Sequence, residues 1–157
     1  MLYKFPILMM LVFSQQALAE DAQPLRTAET MWMLNCQGCH RPDASGTGSE
    51  VPPMPGIVSR FLAVPGGREY LIRVPGVATA PLSDESIAVL VNWMLEKFDP
   101  KNIPGDFIPY TGEEVASLRQ LGAYGTEAGA IRISLMKSFV PVAVSNRKPF
   151  DTLVLAD

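Results

Sequence analysis

The sequence predicts an all-α fold. Three observations carry the expectation. Apolar residues recur at helical spacing in separate segments, those segments begin and end with helix-type caps and charges, and Pro and Gly punctuate the stretches between them. Hydrophobic residues make up 48% of the 157 positions and charged residues 18%, an ordinary balance for a soluble domain. The length fits one domain with an extension.

The first segment lies apart from that domain. Lys4 precedes the apolar run Phe5–Phe13, and Ser14-Gln15-Gln16-Ala17-Leu18-Ala19 ends in a small-x-small pattern. Residues 1–19 read as a secretory signal peptide cleaved before Glu20, with an uncleaved anchor as the alternative. The run is shorter than the roughly 20 apolar residues that a membrane span needs, and no later stretch is long enough. The formal charge is −3 and becomes more negative once Lys4 is removed, which argues against a general nucleic-acid binder. Export to the periplasm would favour pairing of the two cysteines, but Cys36 and Cys39 sit too close in sequence for a structural staple.

Residues 20–26 read as a polar lead-in. From Thr27, a possible N-cap, a helix is expected, with Glu29 in its first turn. Ala28, Trp32 and Cys36 share one face, and the helix should end near Gly38. Residues 41–56 read as a loop. Short helices are expected from Ile57 to Val64, stopped by Pro65-Gly66-Gly67, and from Arg68 to Val74, stopped by Pro75-Gly76. The strongest helix is "LSDESIAVLVNWMLEKFDP": Ser83 caps it, Asp84 and Glu85 open it, Lys97 closes it and Pro100 ends it. Ile87, Leu90, Val91, Met94 and Phe98 form its apolar face, with Trp93 beside Leu90. Residues 101–110 read as a linker. Thr111-Gly-Glu-Glu114 fits a capping box, with Gly122 closing that helix, and Thr126 starts another through about Phe139. Glu113 and Glu114 are thereby better explained as helix-start residues than as a catalytic dyad. From Pro141 no structure is predicted. The expected division is thus a main domain over 20–100 and an extension over 101–157 with two helices.

All the Cys and His residues of the chain fall in five positions, Cys36-Gln37-Gly38-Cys39-His40. This is the c-type haem attachment motif. Two thiols one helical turn apart can add to the two vinyl groups along one porphyrin edge. The next residue, His40, can then bind iron as the proximal ligand. A zinc site would want four ligands, and no further Cys or His exists to complete one. A thioredoxin-like redox pair would need a βαβ context, which this helical chain lacks.

The residues flanking the motif resemble class I c-type cytochromes. Ala28 and Trp32 match the small residue and aromatic of that family's first helix, with Ala where the family usually has Gly. Leu90 and Trp93 match its last helix, and "PLSDESIAVLVNWM" is similar to the corresponding family stretch. The resemblance covers residues 27–99. It implies a cytochrome c-like helical domain around one covalent haem, with the helical extension outside it. It also implies that Pro52 or Pro53 in "VPPMPG" accepts a hydrogen bond from the second nitrogen of His40, raising its basicity.

Most members of that family bind the far face of the iron with a Met followed by Pro. Here Val74-Pro75 stands at that place, and no Met, His, Cys or Lys occurs between Ser59 and Val91. Three readings stay open. Met54 is the sixth ligand through a rearranged loop, or else fills an apolar place on the proximal side. The site is five-coordinate or holds water. Or another group serves, such as Met94, Tyr70 or the backbone, although Met94 lies on the packing face of its helix. Arg68, Tyr70 and Arg73 could bond the haem propionates or be solvated loop residues. Arg41 reads as a surface charge. Trp32 and Trp93 are explained by helix packing before electron transfer.

The resemblance implies one-electron transfer in the periplasm, without catalysis, between a dehydrogenase donor and a terminal acceptor, with the extension from 101 as a possible docking element. The alternatives are a haem with an open sixth position that binds a gas or peroxide, and an accessory haem subunit of a dehydrogenase. A peroxide catalyst would lack a second His as distal acid or base.

Overall fold

The computed structural model describes residues 23–48 and 50–139, with side chains described from Thr27. The predicted signal peptide with its cleavage site, and the tail from Pro141, lie outside the described residues. Among those residues the chain is helical, with no β-strand and one isolated bridge between Thr47 and Val51. No helix among them is long and apolar enough to cross a membrane.

Helix α1 spans Gln23–Asn35 and α2 spans Gln37–His40. The first begins four residues before the expected Thr27, so Thr27 is an interior residue and no cap. Pro24 explains the difference, because the first helical turn tolerates Pro, having no use for its N–H. The helical path also continues past the expected end at Gly38, bending at Cys36 and stopping at Arg41, whose φ of 66° leaves the helix.

A 3₁₀ helix over Val58–Ala63 leads through Gly66 into α3, Gly67–Arg73. A single turn, α4 (Pro75–Ala78), follows. Helix α5 is Asp84–Phe98, and the Ser83 hydroxyl accepts from the Ser86 N–H at its start. Its buried face is wider than the expected stripe. It includes Ala88, Asn92 and Leu95 as well as Ile87, Leu90, Val91 and Met94. The reason is that α5 is packed from two sides, by α1 and by α6 (Gly112–Gln120).

The segment expected as a linker runs against the core instead. Ile103 and Tyr110 are buried, as is Val115 on α6. Thr111 caps α6 as the sequence suggests, accepting from the Glu114 N–H. A 3₁₀ turn at Gly125–Glu127 precedes α7, Ala128–Met136.

Asn92 explains why the 101–110 segment stays in place. Its Nδ2 donates to the Tyr110 carbonyl and its Oδ1 accepts from the Tyr110 N–H, both at 2.9 Å and both buried. The Tyr110 hydroxyl donates to the Arg68 carbonyl. An Asn can thus imitate a strand neighbour for one buried peptide group. Asn92→Ala strands both backbone groups and should cost about 2–6 kcal/mol, since each unsatisfied buried group costs about 1–3 kcal/mol. Chemical denaturation of the haem-loaded protein checks this.

Candidate functional site

The motif is presented by backbone hydrogen bonds that keep it helical. The Cys36 N–H donates to the Trp32 carbonyl at 2.9 Å, and the Cys39 and His40 N–H groups both donate to the Cys36 carbonyl, at 3.2 and 3.0 Å. Cys36 and Cys39 therefore lie one turn apart. Both are free thiols, Cys36 half-buried and Cys39 exposed. Burial, helped by the charge of Cys39, pushes the Cys36 thiol above its ordinary value.

The following loop folds back on the motif's own carbonyls. The Gly46 N–H donates to the His40 carbonyl at 3.0 Å, and the Thr47 hydroxyl donates to the Cys39 carbonyl at 3.3 Å. Gly46 is buried, with φ +75°, and a Cβ there would lie 2.0 Å from the Val51 oxygen. Only glycine fits between the motif and the 51–52 backbone.

His40 is half-buried, and its ring centroid is 5.8 Å from that of Trp32. Burial lowers the imidazole from its ordinary value and so favours the neutral ring a metal can accept. Its Nδ1 is buried with no hydrogen-bond partner, as is the Trp32 Nε1. The expected bond from His40 to the Pro52 or Pro53 carbonyl is thus not formed. The ring lies against Trp32 instead.

These features fit a covalent haem. Two unpaired thiols at one-turn spacing precede an imidazole, and two buried polar nitrogens are without partners at the same place. Among the described residues no group of three or more His, Cys, Asp or Glu could hold a metal on protein ligands alone. A macrocycle that brings its own nitrogens is the form in which iron suits this donor set.

Met54 is half-buried, and its N–H donates to the Ala44 carbonyl, four residues past His40. Val74 is half-buried at the end of α3 and packs with Val77, Ala80 and Leu82 against the core. Met94 is a core residue. Tyr70 is also buried, stacked on Phe61 at 4.9 Å. Trp32 packs on Phe98 at 4.7 Å and Trp93 on Phe98 at 5.7 Å, the aromatic helix crossing expected of them. Arg41 is exposed.

Arg68 and Arg73 have neither of the expected environments. Arg68 makes a two-pronged ion pair with Glu114, at 2.9 and 2.6 Å, and donates to the Ile108 carbonyl. Arg73 pairs with Glu69 and donates to the Gly122 and Leu121 carbonyls at 2.8 and 3.1 Å. Both anchor the C-terminal extension. Glu114 therefore has a second role besides its place at the helix start.

Arg119 and Asn92 carry no sequence signal of their importance. The partners of Arg119 lie 35 to 41 residues earlier in the chain, beyond the reach of any local pattern.

No family model matches the chain, and no solved structure matches it significantly. Two curated proteins do. Cytochrome c-552 of Thermus thermophilus is 38% identical over 103 aligned positions, which cover 54% of this chain and 78% of that protein. Cytochrome c-552 of a further Thermus thermophilus strain has the same identity and length of match, covering 69% of its length. With this likeness, the helical fold and the donor set of residues 36–40, the chain belongs to the family of c-type cytochromes, and its cofactor is covalent haem c.

Proposed function

We propose that this cytochrome carries single electrons in the periplasm, from a dehydrogenase to a terminal acceptor. The observation that carries the reading is the turn at Cys36–His40, where two free thiols and a neutral-favouring imidazole with an unpartnered Nδ1 meet beside the unpartnered, buried Nε1 of Trp32. Cys36 and Cys39 would hold the haem and His40 its iron. Bound there, haem supplies a one-electron couple between ferric and ferrous iron. The chain does the rest. The Gly46 and Thr47 loop holds the motif's carbonyls, and the core formed by α1 and α5 keeps water from one side. Cys39 is exposed, which suits electron entry at an open edge.

A second reading adds an open sixth position on the iron that accepts a small diatomic ligand. It is favoured by the Val74–Leu82 segment, which stands at the family's ligand position and carries no ligating side chain. The tie between Met54 and Ala44 supports Met54 packing on the His40 side.

Spectra of the purified haem protein with and without carbon monoxide test both readings. An open site predicts a rapid carbon monoxide shift and no ferric methionine charge-transfer band, with Met54→Ala spectrally unchanged. A methionine band that disappears in Met54→Ala would overturn the open site and leave the carrier. Electron exchange too slow to support turnover with any soluble redox partner would overturn the carrier.

A further inference from the structure

The Val74–Leu82 segment connects α3 to α5. In a relative whose loop bonds the iron, that bond itself holds the loop. Here the segment has no ligating side chain, and something else holds it. Arg119, on α6, reaches across to three alternate carbonyls in the second half of the connection. Its Nε donates to Ala78, its Nη2 to Ala80 and its Nη1 to Leu82, each at 3.0 Å. The same Nη1 pairs with the Asp84 carboxylate at 2.7 Å. One planar guanidinium with five donors in a fixed fork can satisfy this set, and no other side chain can. At the other end of the segment Arg73 ties α3 to the Leu121 and Gly122 carbonyls, and the Tyr124 N–H donates to the Arg73 carbonyl at 3.0 Å.

We propose that Arg119 is a positioning residue for the haem site. It fixes the Val74–Leu82 segment where a sixth ligand would otherwise do so, and thereby sets how readily an external ligand reaches the far face of the iron. The inference rests on the reading of that segment as the non-ligating neighbour of the sixth position. Its physical content is steric. Val74, Val77, Ala80 and Leu82 pack against the core, and the anchor that ties their backbone comes from α6. A fixed apolar wall admits a diatomic molecule and resists a ring-sized one. Removing the anchor takes the side-chain donor from three backbone carbonyls, of which Ala80 alone keeps a bond, from the Leu82 N–H, and lets the wall move while leaving Cys36, Cys39 and His40 in place. The extension then has a role at the haem site itself.

The test uses the haem-loaded protein and two probes, carbon monoxide on ferrous iron and imidazole on ferric iron. Wild type should take up carbon monoxide and bind imidazole weakly. Arg119→Ala should keep its haem and bind imidazole at least tenfold more tightly. Arg119→Lys should fall between them, because an ammonium keeps the Asp84 pair and loses the fork. Asn92→Ala loosens the extension elsewhere and should stay within twofold of wild type. Unchanged imidazole binding in Arg119→Ala would overturn the proposal, as would an equal rise in Asn92→Ala. If Arg119→Ala does not retain haem, Arg119→Lys decides, and wild-type binding in it overturns the proposal. A wild type that takes up neither probe would instead sink the open-site reading beneath it.

Discussion

Cys36→Ala combined with Cys39→Ala should abolish covalent haem, read as loss of haem stain on a denaturing gel and of the haemochrome spectrum in pyridine. Each single variant should keep one thioether and a weakened stain. The two should differ in stability. The half-buried Cys36 packs against the core, whereas Cys39 is exposed, so Cys36→Ala should unfold at lower denaturant. The double variant should lose more than the sum of two thiols. The haem's own apolar contacts with the core go too, a large loss against a typical total of about 5–15 kcal/mol. Retention of gel-resistant haem at wild-type stoichiometry in the double variant would sink the assignment of these two cysteines.

The second large effect is expected at a residue outside the five-residue motif. Gly46→Ala must place a side chain at φ +75°, which costs about 1–2 kcal/mol. Its Cβ would also meet the Val51 oxygen at 2.0 Å and the Pro52 carbonyl carbon at 2.9 Å. These are backbone atoms, so the loop itself has to move, adding about 1–3 kcal/mol. The Gly46 N–H bond to the His40 carbonyl would be lost in that movement. A total loss of about 2–5 kcal/mol is expected in thermal unfolding of the haem protein, with an altered Soret band. Gly38→Ala is the contrast. Gly38 is helical with open space around its missing Cβ, so Ala there should be neutral or stabilising by about 0.5–1 kcal/mol. A Gly46→Ala protein as stable as Gly38→Ala would show that the loop does not hold His40.

Why these two glycines differ is a case of what a sequence can and cannot carry. Gly38 lies in the helical motif and Gly46 in the loop after it, and no local pattern shows which of the two is crowded. Gly46 is constrained by the Val51 and Pro52 backbone, which a returning loop brings against it. The same holds for Arg68 and Arg73. Their spacing fits a solvated loop or a propionate site equally well, and only the arrival of Glu114, Leu121 and Gly122 from the extension decides their role. The expected linker over 101–110 failed for the same reason. Its Pro and Gly content describes local conformation, whereas the burial of Tyr110 depends on Asn92, 18 residues away.

By itself the sequence determined the helical class, the caps at Ser83 and Thr111, the apolar face of α5, and the Cys36–His40 motif. Each of these rests on interactions within a turn or two of chain, where spacing and chemistry act directly. Tertiary structure alone decided that His40 turns toward Trp32 and that three arginines bind the extension to the Val74–Leu82 side of the domain. Those outcomes depend on which distant carbonyls and carboxylates are delivered to a side chain. That delivery is set by the packing of α6 across α5 and α3, which no local pattern encodes.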